Sequence, residues 1–158
     1  MIIKQLVDED FVNYKKPSMF IAFPSCTFKC EKECGKKMCQ NSELAQSPNI
    51  DVSVRAIIER YMSNPITQSV VCGGLEPLDS WKDLQCFIMN FRYRCYDEIV
   101  IYTGYNEEEV ADKIKWLKLY ENIIIKFGRY IPNQEKHFDD ILGIYLASDN
   151  QYGVKISQ

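Results

Sequence analysis

Short apolar segments alternate along the chain with segments in which apolar residues recur at helical spacing. Residues 18–24, 69–72, 98–102 and 122–126 have the length and apolar content of buried strands. Helices are expected after an N-cap at Asp51 and over residues 81–93, because apolar residues there recur at helical spacing. A third helix is expected after an N-cap at Asn106, because acidic residues fill its first turn and lysines lie towards its other end. One further strand is expected within residues 141–147.

Strands that alternate with helices predict an α/β fold with a mainly parallel sheet. In such a sheet the loops that follow successive strands gather at the carboxyl ends, where ligands commonly bind. Three unusual loops would meet there: a cysteine-rich loop after the first of these strands, Gly73-Gly74 after the second, and Thr103-Gly104-Tyr105 after the third. The length of 158 residues predicts one domain, residues 1–158.

Composition narrows the classes of function. The chain has 46% hydrophobic residues and a formal net charge of -3, with basic residues scattered along it. Nucleic-acid binding is not expected, because contacts to phosphates need a concentrated basic surface. No apolar run approaches the ~20 residues that span a bilayer, and no signal peptide is evident. A cytoplasmic protein that does not bind membranes is expected.

Seven cysteines are many for this length, and their odd number argues against a disulfide framework and for a reducing compartment. Four of them lie within fourteen residues, which suggests metal chemistry: Cys26, Cys30, Cys34 and Cys39. The other three are expected to be small buried residues without a chemical role: Cys72, Cys86 and Cys95. The one histidine, His137, is expected at the surface, so a catalytic Cys/His pair is not expected.

The cysteine-rich loop suits an iron-sulfur cluster, which needs thiolates that converge from a short segment and a surrounding positive potential. Gly35 and the nearby lysines meet that need. The alternative is a structural zinc site, although such sites usually contain paired Cys-x-x-Cys motifs, and three, three and four residues separate the cysteines here.

The same loop resembles the cluster-binding loop of the radical S-adenosylmethionine superfamily, in which three cysteines are separated by three and then two residues. Cys26 and Cys30 match the first spacing. Cys39 is preferred as the third ligand because Met38 precedes it and Gln40-Asn41 follows it, as at the end of the superfamily motif. Cys34 is the rival ligand.

Two further loops extend the resemblance. The segment Gly73-Gly74-Leu75-Glu76-Pro77 resembles the superfamily's Gly-Gly-Glu-Pro motif with Leu75 as an extra residue, and alone it could be an ordinary strand-to-helix turn. Thr103-Gly104-Tyr105 after residues 98–102 resembles the corresponding segment of the activating proteins of anaerobic ribonucleoside-triphosphate reductase. Its simpler interpretation is a capped helix start.

The resemblance implies a small partial (βα) barrel with a [4Fe-4S] cluster on Cys26, Cys30 and Cys39. The fourth iron would then take the amino and carboxylate groups of S-adenosylmethionine, which Met38, Gly73, Gly74, Glu76 and Thr103 would contact. Reductive cleavage would yield a 5′-deoxyadenosyl radical that removes a hydrogen atom from the substrate.

The substrate implied by the resemblance is a backbone glycine of a glycyl radical enzyme, and the resemblance favours the anaerobic ribonucleoside-triphosphate reductase. A small donor protein such as flavodoxin would supply the electrons. No particular catalytic side chain is predicted. Two alternatives remain at the level of sequence: a radical enzyme for another peptide or small molecule, and a zinc-stabilised interaction module without enzymatic activity.

Overall fold

The computed structural model describes residues 1–25 and 42–158. The predicted cluster ligands Cys26, Cys30 and Cys39, the rival Cys34 and the predicted contact residue Met38 lie outside the described residues.

The described residues form ten strands and four α-helices. The strands are β1 (Ile2–Ile3), β2 (Gln5–Asp10), β3 (Ser18–Phe23), β4 (Ile50–Asp51), β5 (Ser69–Gly74), β6 (Glu98–Tyr102), β7 (Ile123–Phe127), β8 (His137–Asp139), β9 (Ile144–Leu146) and β10 (Tyr152–Lys155). The helices are α1 (Ser42–Gln46), α2 (Val54–Met62), α3 (Trp81–Arg94) and α4 (Ala111–Leu117). The 3-10 turns Pro77–Ser80 and Glu107–Val110 lead into α3 and α4.

The main sheet has six strands in the order β10-β7-β6-β5-β3-β2. Its four central strands, β3, β5, β6 and β7, run parallel, whereas β2 and β10 pair antiparallel at the two edges. This confirms the predicted α/β class with a mainly parallel sheet. Within the described residues the sheet is open and does not close into a barrel.

Each face of the central strands is buried, as expected for parallel strands. On one face α2, α3 and α4 cover alternate strand residues, and Met19, Val70 and Ile101 belong to this core. On the other face, Tyr14 from the β2–β3 connection and residues of the C-terminal segment, among them Leu142, cover the intervening strand residues. We call this second side the inner face.

Local sequence accounts for most element boundaries. The N-cap of α2 is Ser53, whose hydroxyl accepts a hydrogen bond from the Ala56 amide at 3.0 Å. The prediction of Asp51 as the N-cap was therefore wrong, because Asp51 pairs with Ile2 between β4 and β1. Asn106 does precede a capped start, but the first turn is 3-10 and α4 begins only at Ala111.

The ends of the chain contain more strands than predicted. Strands β1 and β2 lie in an N-terminal segment for which no element was predicted, and β8 and β10 flank the one predicted tail strand, which is β9. These short strands lack a clear period of two, which explains the omission. No helix among the described residues is long and apolar enough to cross a membrane.

Candidate functional site

The exits of β3 and β5 are bonded to each other at the carboxyl end of the sheet. The Leu75 amide donates to the Phe23 carbonyl at 3.3 Å, and the Glu76 amide donates to the Ser25 carbonyl at 2.7 Å. Gly74 has φ +82°, and a Cβ there would lie 2.7 Å from the Ala22 Cα. The double glycine thus permits a close backbone contact that fixes the chain just before Cys26.

Glu76 joins the exit of β5 to the exit of β6. Its carboxylate accepts hydrogen bonds from the Thr103 hydroxyl at 3.1 Å, from the Gly104 amide at 2.9 Å and from the Leu78 amide at 3.1 Å. The Thr103 hydroxyl in turn accepts from the Tyr105 amide at 3.1 Å. Glu76 and Thr103, both predicted site residues, are therefore bonded to each other. The predicted Gly73 and Gly74 precede Glu76 at the end of β5.

The Glu76 carboxyl group is buried, with a relative exposure of 5%. This burial raises its pKa to about 7, although the three donors favour the charged form and oppose the shift. A carboxylate that is costly to ionise, at the ligand-binding end of an α/β sheet, is typical of functional sites.

Lys126 is a second buried charged residue in this region, and sequence reasoning missed it. It is the last residue of β7 on the inner face, and its relative exposure is 9%. Its ammonium lies 5.5 Å from the centre of the Tyr102 ring. Burial lowers its pKa to about 8, while the nearby Glu76 charge opposes the shift. The available signal was a lysine at the end of an otherwise apolar strand.

Two polar pairs flank the exits of β6 and β7. The Tyr105 hydroxyl donates to Asp79 at 2.6 Å, and Arg129 forms an ion pair with Glu109 at 2.6 Å. The Arg129 guanidinium also lies 5.9 Å from the centre of the Tyr105 ring. The contacts of Arg129 hold the loop after β7 against the loop after β6.

The three remaining cysteines differ in environment. Cys72 is fully buried, and burial raises its thiol pKa, so it is an inert core residue as predicted. Cys95 is half-buried. The prediction that Cys86 is buried was wrong, because Cys86 lies on the solvent side of α3, opposite the face that carries Leu84 and Phe87. In residues 1–25 and 42–158, no group of three or more His, Cys, Asp or Glu side chains could hold a metal ion.

His137, predicted at the surface, is half-buried on β8. Its Nε2 lies 2.8 Å from the Gln151 carbonyl oxygen, so the ring ties β8 to the start of β10.

A family model for a 4Fe-4S single cluster domain matches residues 17–149, which is most of the chain. The chain belongs to the 4Fe-4S single cluster domain family. No curated protein and no solved structure gave a match. The family assignment supports the predicted iron-sulfur cluster and the metal-binding character of the chain.

The segment with the four cysteines follows directly on the bonded exits of β3 and β5. The matched range runs from the strand that precedes the cysteines through all the loops of the carboxyl edge. The bonds from Leu75 and Glu76 hold the chain up to Ser25, so the cysteine segment starts from a fixed position. By sequence, the thiolates available next to this position are those of Cys26, Cys30, Cys34 and Cys39.

Proposed function

We propose that this 4Fe-4S protein is a radical S-adenosylmethionine enzyme, and specifically an activase that generates a glycyl radical on an anaerobic ribonucleotide reductase. The observation that carries the proposal is the iron-sulfur family match, which includes Cys26 and Cys30 at the superfamily spacing immediately after β3. The family model is found in radical-SAM-related proteins.

In this proposal Cys26, Cys30 and Cys39 hold the cluster, with Cys34 as the rival third ligand. The bound cluster would supply the electron that breaks the bond between the sulfonium and the 5′ carbon of S-adenosylmethionine, which yields methionine and a 5′-deoxyadenosyl radical. Gly35 and the lysines of the loop would offset the negative charge of the cluster.

The residues of the carboxyl edge would bind and orient the methionine part of the ligand. Gly73 and Gly74 allow backbone to approach closely, and Gly74 already occupies a left-handed conformation that other residues rarely adopt. Glu76 would attract the ligand's ammonium group, and Thr103 holds that carboxylate in place through its 3.1 Å hydrogen bond. Met38, which lies outside the described residues, would contact the ligand beside Cys39.

The protein substrate is proposed from the resemblance of Thr103-Gly104-Tyr105 to the corresponding segment of the reductase activases. The radical would remove a hydrogen atom from a backbone glycine of the reductase, and a small donor such as flavodoxin would supply the electron. The open sheet, whose edges are β2 and β10 among the described residues, is compatible with a substrate delivered by a partner protein.

The test is to mix the anaerobically reconstituted protein with an anaerobic ribonucleotide reductase, reductant and S-adenosylmethionine, and to record electron paramagnetic resonance. We expect a glycyl radical that requires all components and is absent with the Cys30→Ala variant. Cleavage of S-adenosylmethionine without a glycyl radical would indicate another substrate. Stoichiometric zinc in place of iron would favour an interaction module.

A further inference from the structure

The outer side of α3 carries an exposed apolar stripe. Cys86, Met89 and Tyr93 recur at helical spacing, so they share one face of the helix, opposite the face that packs on the sheet. Met89 is 53% exposed and Tyr93 is 89% exposed. A helix that packs only on a sheet normally presents polar residues on this side. These three side chains therefore indicate a second packing surface, which we call the α3 stripe.

The two ends of the α3 stripe differ in chemistry. Lys82, which is also exposed, lies one turn before Cys86, and Tyr93 lies in the last turn of the helix. One end thus presents an ammonium group and the other an aromatic ring, and such groups attract each other. Within one chain Lys82 and Tyr93 are about 16 Å apart along the helix axis, so they cannot meet. Their attraction is available only between two chains.

The α3 stripe is complementary to itself when two copies pack with their α3 helices antiparallel. Residues 82 and 93 are equally far from the middle of the stripe, and so are residues 86 and 89. A two-fold axis through this point places Lys82 of each copy opposite Tyr93 of the other. It also places the two Cys86 side chains near each other, and likewise the two Met89 side chains. The pairing thus has an apolar centre and a cation–aromatic contact at each end.

Two neighbouring side chains enlarge the apolar surface. Tyr96, just after α3, is 63% exposed, and Leu119, just after α4, is 74% exposed. The Asn122 side chain donates to the Tyr96 carbonyl at 2.7 Å, which holds the segment between α4 and β7 against the segment between α3 and β6. With Met89 and Tyr93, these side chains offer about 500 Å² per copy. A dimer would then bury about 1,000 Å² in total, which is the lower limit for a specific interface.

We propose that the α3 stripe is the interface of a reversible homodimer with two-fold symmetry. The self-complementary ends of the stripe favour a second copy of this chain over an unrelated partner. The limited area predicts a dissociation constant of about 1 to 100 µM. The helices lie on the opposite side of the sheet from the inner face, so the dimer does not involve the inner face of either copy. The proposal does not depend on the proposed enzymatic function.

The first test is sedimentation equilibrium of the anaerobically reconstituted protein at concentrations around the expected dissociation constant. Met89→Glu and Tyr93→Lys should each weaken dimerisation at least about 10-fold, because Met89→Glu places two carboxylates beside the axis and Tyr93→Lys sets two ammonium groups against each other. The matched control is Tyr145→Lys, which changes a tyrosine that is 67% exposed on β9 and should dimerise as the original chain does.

A charge exchange and a cross-link test the antiparallel arrangement. The double variant Lys82→Glu/Tyr93→Lys should recover most of the dimerisation that Tyr93→Lys loses, because opposite charges then meet at each end. A short bismaleimide should cross-link two copies through Cys86, which is exposed. The cross-linked dimer should be absent in Cys86→Ser and strongly reduced in Met89→Glu.

A chain that stays monomeric, or a dimer that neither Met89→Glu nor Tyr93→Lys weakens, would overturn the proposal and leave the α3 stripe to a different protein partner. Cross-linking that persists in Cys86→Ser would overturn the antiparallel pairing. A double variant that dimerises no better than Tyr93→Lys would overturn it equally.

Discussion

Each end of the central sheet holds a glutamate, and the surroundings shift the pKa of the two carboxyl groups in opposite directions. At the amino end, burial alone would raise the pKa of Glu98, but Lys16 at 2.7 Å, Tyr14 at 2.9 Å and Lys155 at 3.4 Å outweigh it and lower the pKa. At the carboxyl end, burial dominates and raises the pKa of Glu76 to about 7.

The two ends of the sheet differ in how well their polar groups are compensated. Opposite charges compensate the polar groups where the strands begin, and the Ser18 and Ser69 hydroxyls lie 2.6 Å apart there. Where the strands end, Glu76 and Lys126 remain buried without contacting each other, at a cost to stability. Proteins retain such costs mainly at functional sites, which supports the binding role that we propose for the carboxyl end.

The largest expected difference between the two ends concerns the cluster. Cys26→Ala and Cys30→Ala, which follow the carboxyl end of β3, should abolish cluster binding, because each removes a thiolate ligand. Cys34→Ala should have a mild effect if Cys39 is the third ligand. The measurement is iron and sulfide content with visible absorbance after anaerobic reconstitution.

Cys95, just before the amino end of β6, provides the control, and Cys95→Ala should retain the full iron content. Full occupancy in Cys26→Ala or Cys30→Ala would refute the cluster assignment. Loss of the cluster in Cys34→Ala would make Cys34 the third ligand in place of Cys39.

The next largest effect is on the fold at the carboxyl end. Gly74→Ala should lower the free energy of unfolding by about 2 to 4 kcal/mol, because the new Cβ would lie 2.7 Å from the Ala22 Cα and φ is +82°. Gly104→Ala is the matched control, since the atom nearest to its Cβ would be 3.7 Å away. Urea unfolding should show a change below about 1 kcal/mol for the control. Equal losses would show that the close contact at Gly74 is unimportant.

The smallest effect is the pH dependence of stability, and its sign should differ between the two ends. The folded pKa of Glu76 is raised, so its contribution is fully present below the ordinary value of 4.5 and is lost as the pH rises through about 7. The folded pKa of Glu98 is lowered, so its contribution is present above 4.5 and is lost as the pH falls through the lowered pKa.

Glu76→Gln should therefore reduce the decline in the free energy of unfolding between about pH 4.5 and 7 by about 1 to 3 kcal/mol. Glu98→Gln should instead reduce the loss of stability as the pH falls below 4.5. Thermal melting across this range measures both slopes. Parallel pH profiles of the two variants would contradict the comparison between the two ends.

The central sheet could be predicted from sequence because its strands are continuous apolar runs between turns. The predicted span 98–102 matches β6, and the span 81–93 differs from α3 by one residue. Gly73, Gly74, Glu76 and Thr103 could be gathered at one edge because parallel strands place their exits together. Strands β2, β8 and β10 could not be predicted, since their residues lack a clear alternation of apolar and polar side chains.

The burial of Lys126 could not be predicted from sequence. Sequence shows a lysine at the end of a strand, whereas its burial depends on the inner face being covered by Tyr14 and the C-terminal segment. The exposure of Cys86, in contrast, could have been predicted. The helical spacing of Leu84, Phe87, Ile88 and Phe91 places these residues on one face of α3 and Cys86 on the opposite face.

The most direct test of the account is electron paramagnetic resonance of the anaerobically reconstituted and reduced protein, with and without S-adenosylmethionine. We predict a reduced [4Fe-4S] signal that changes on addition of S-adenosylmethionine, because the ligand would bind the iron that lacks a cysteine. A protein that holds stoichiometric zinc and gives no such signal, or a cluster signal that S-adenosylmethionine leaves unchanged, would contradict the account.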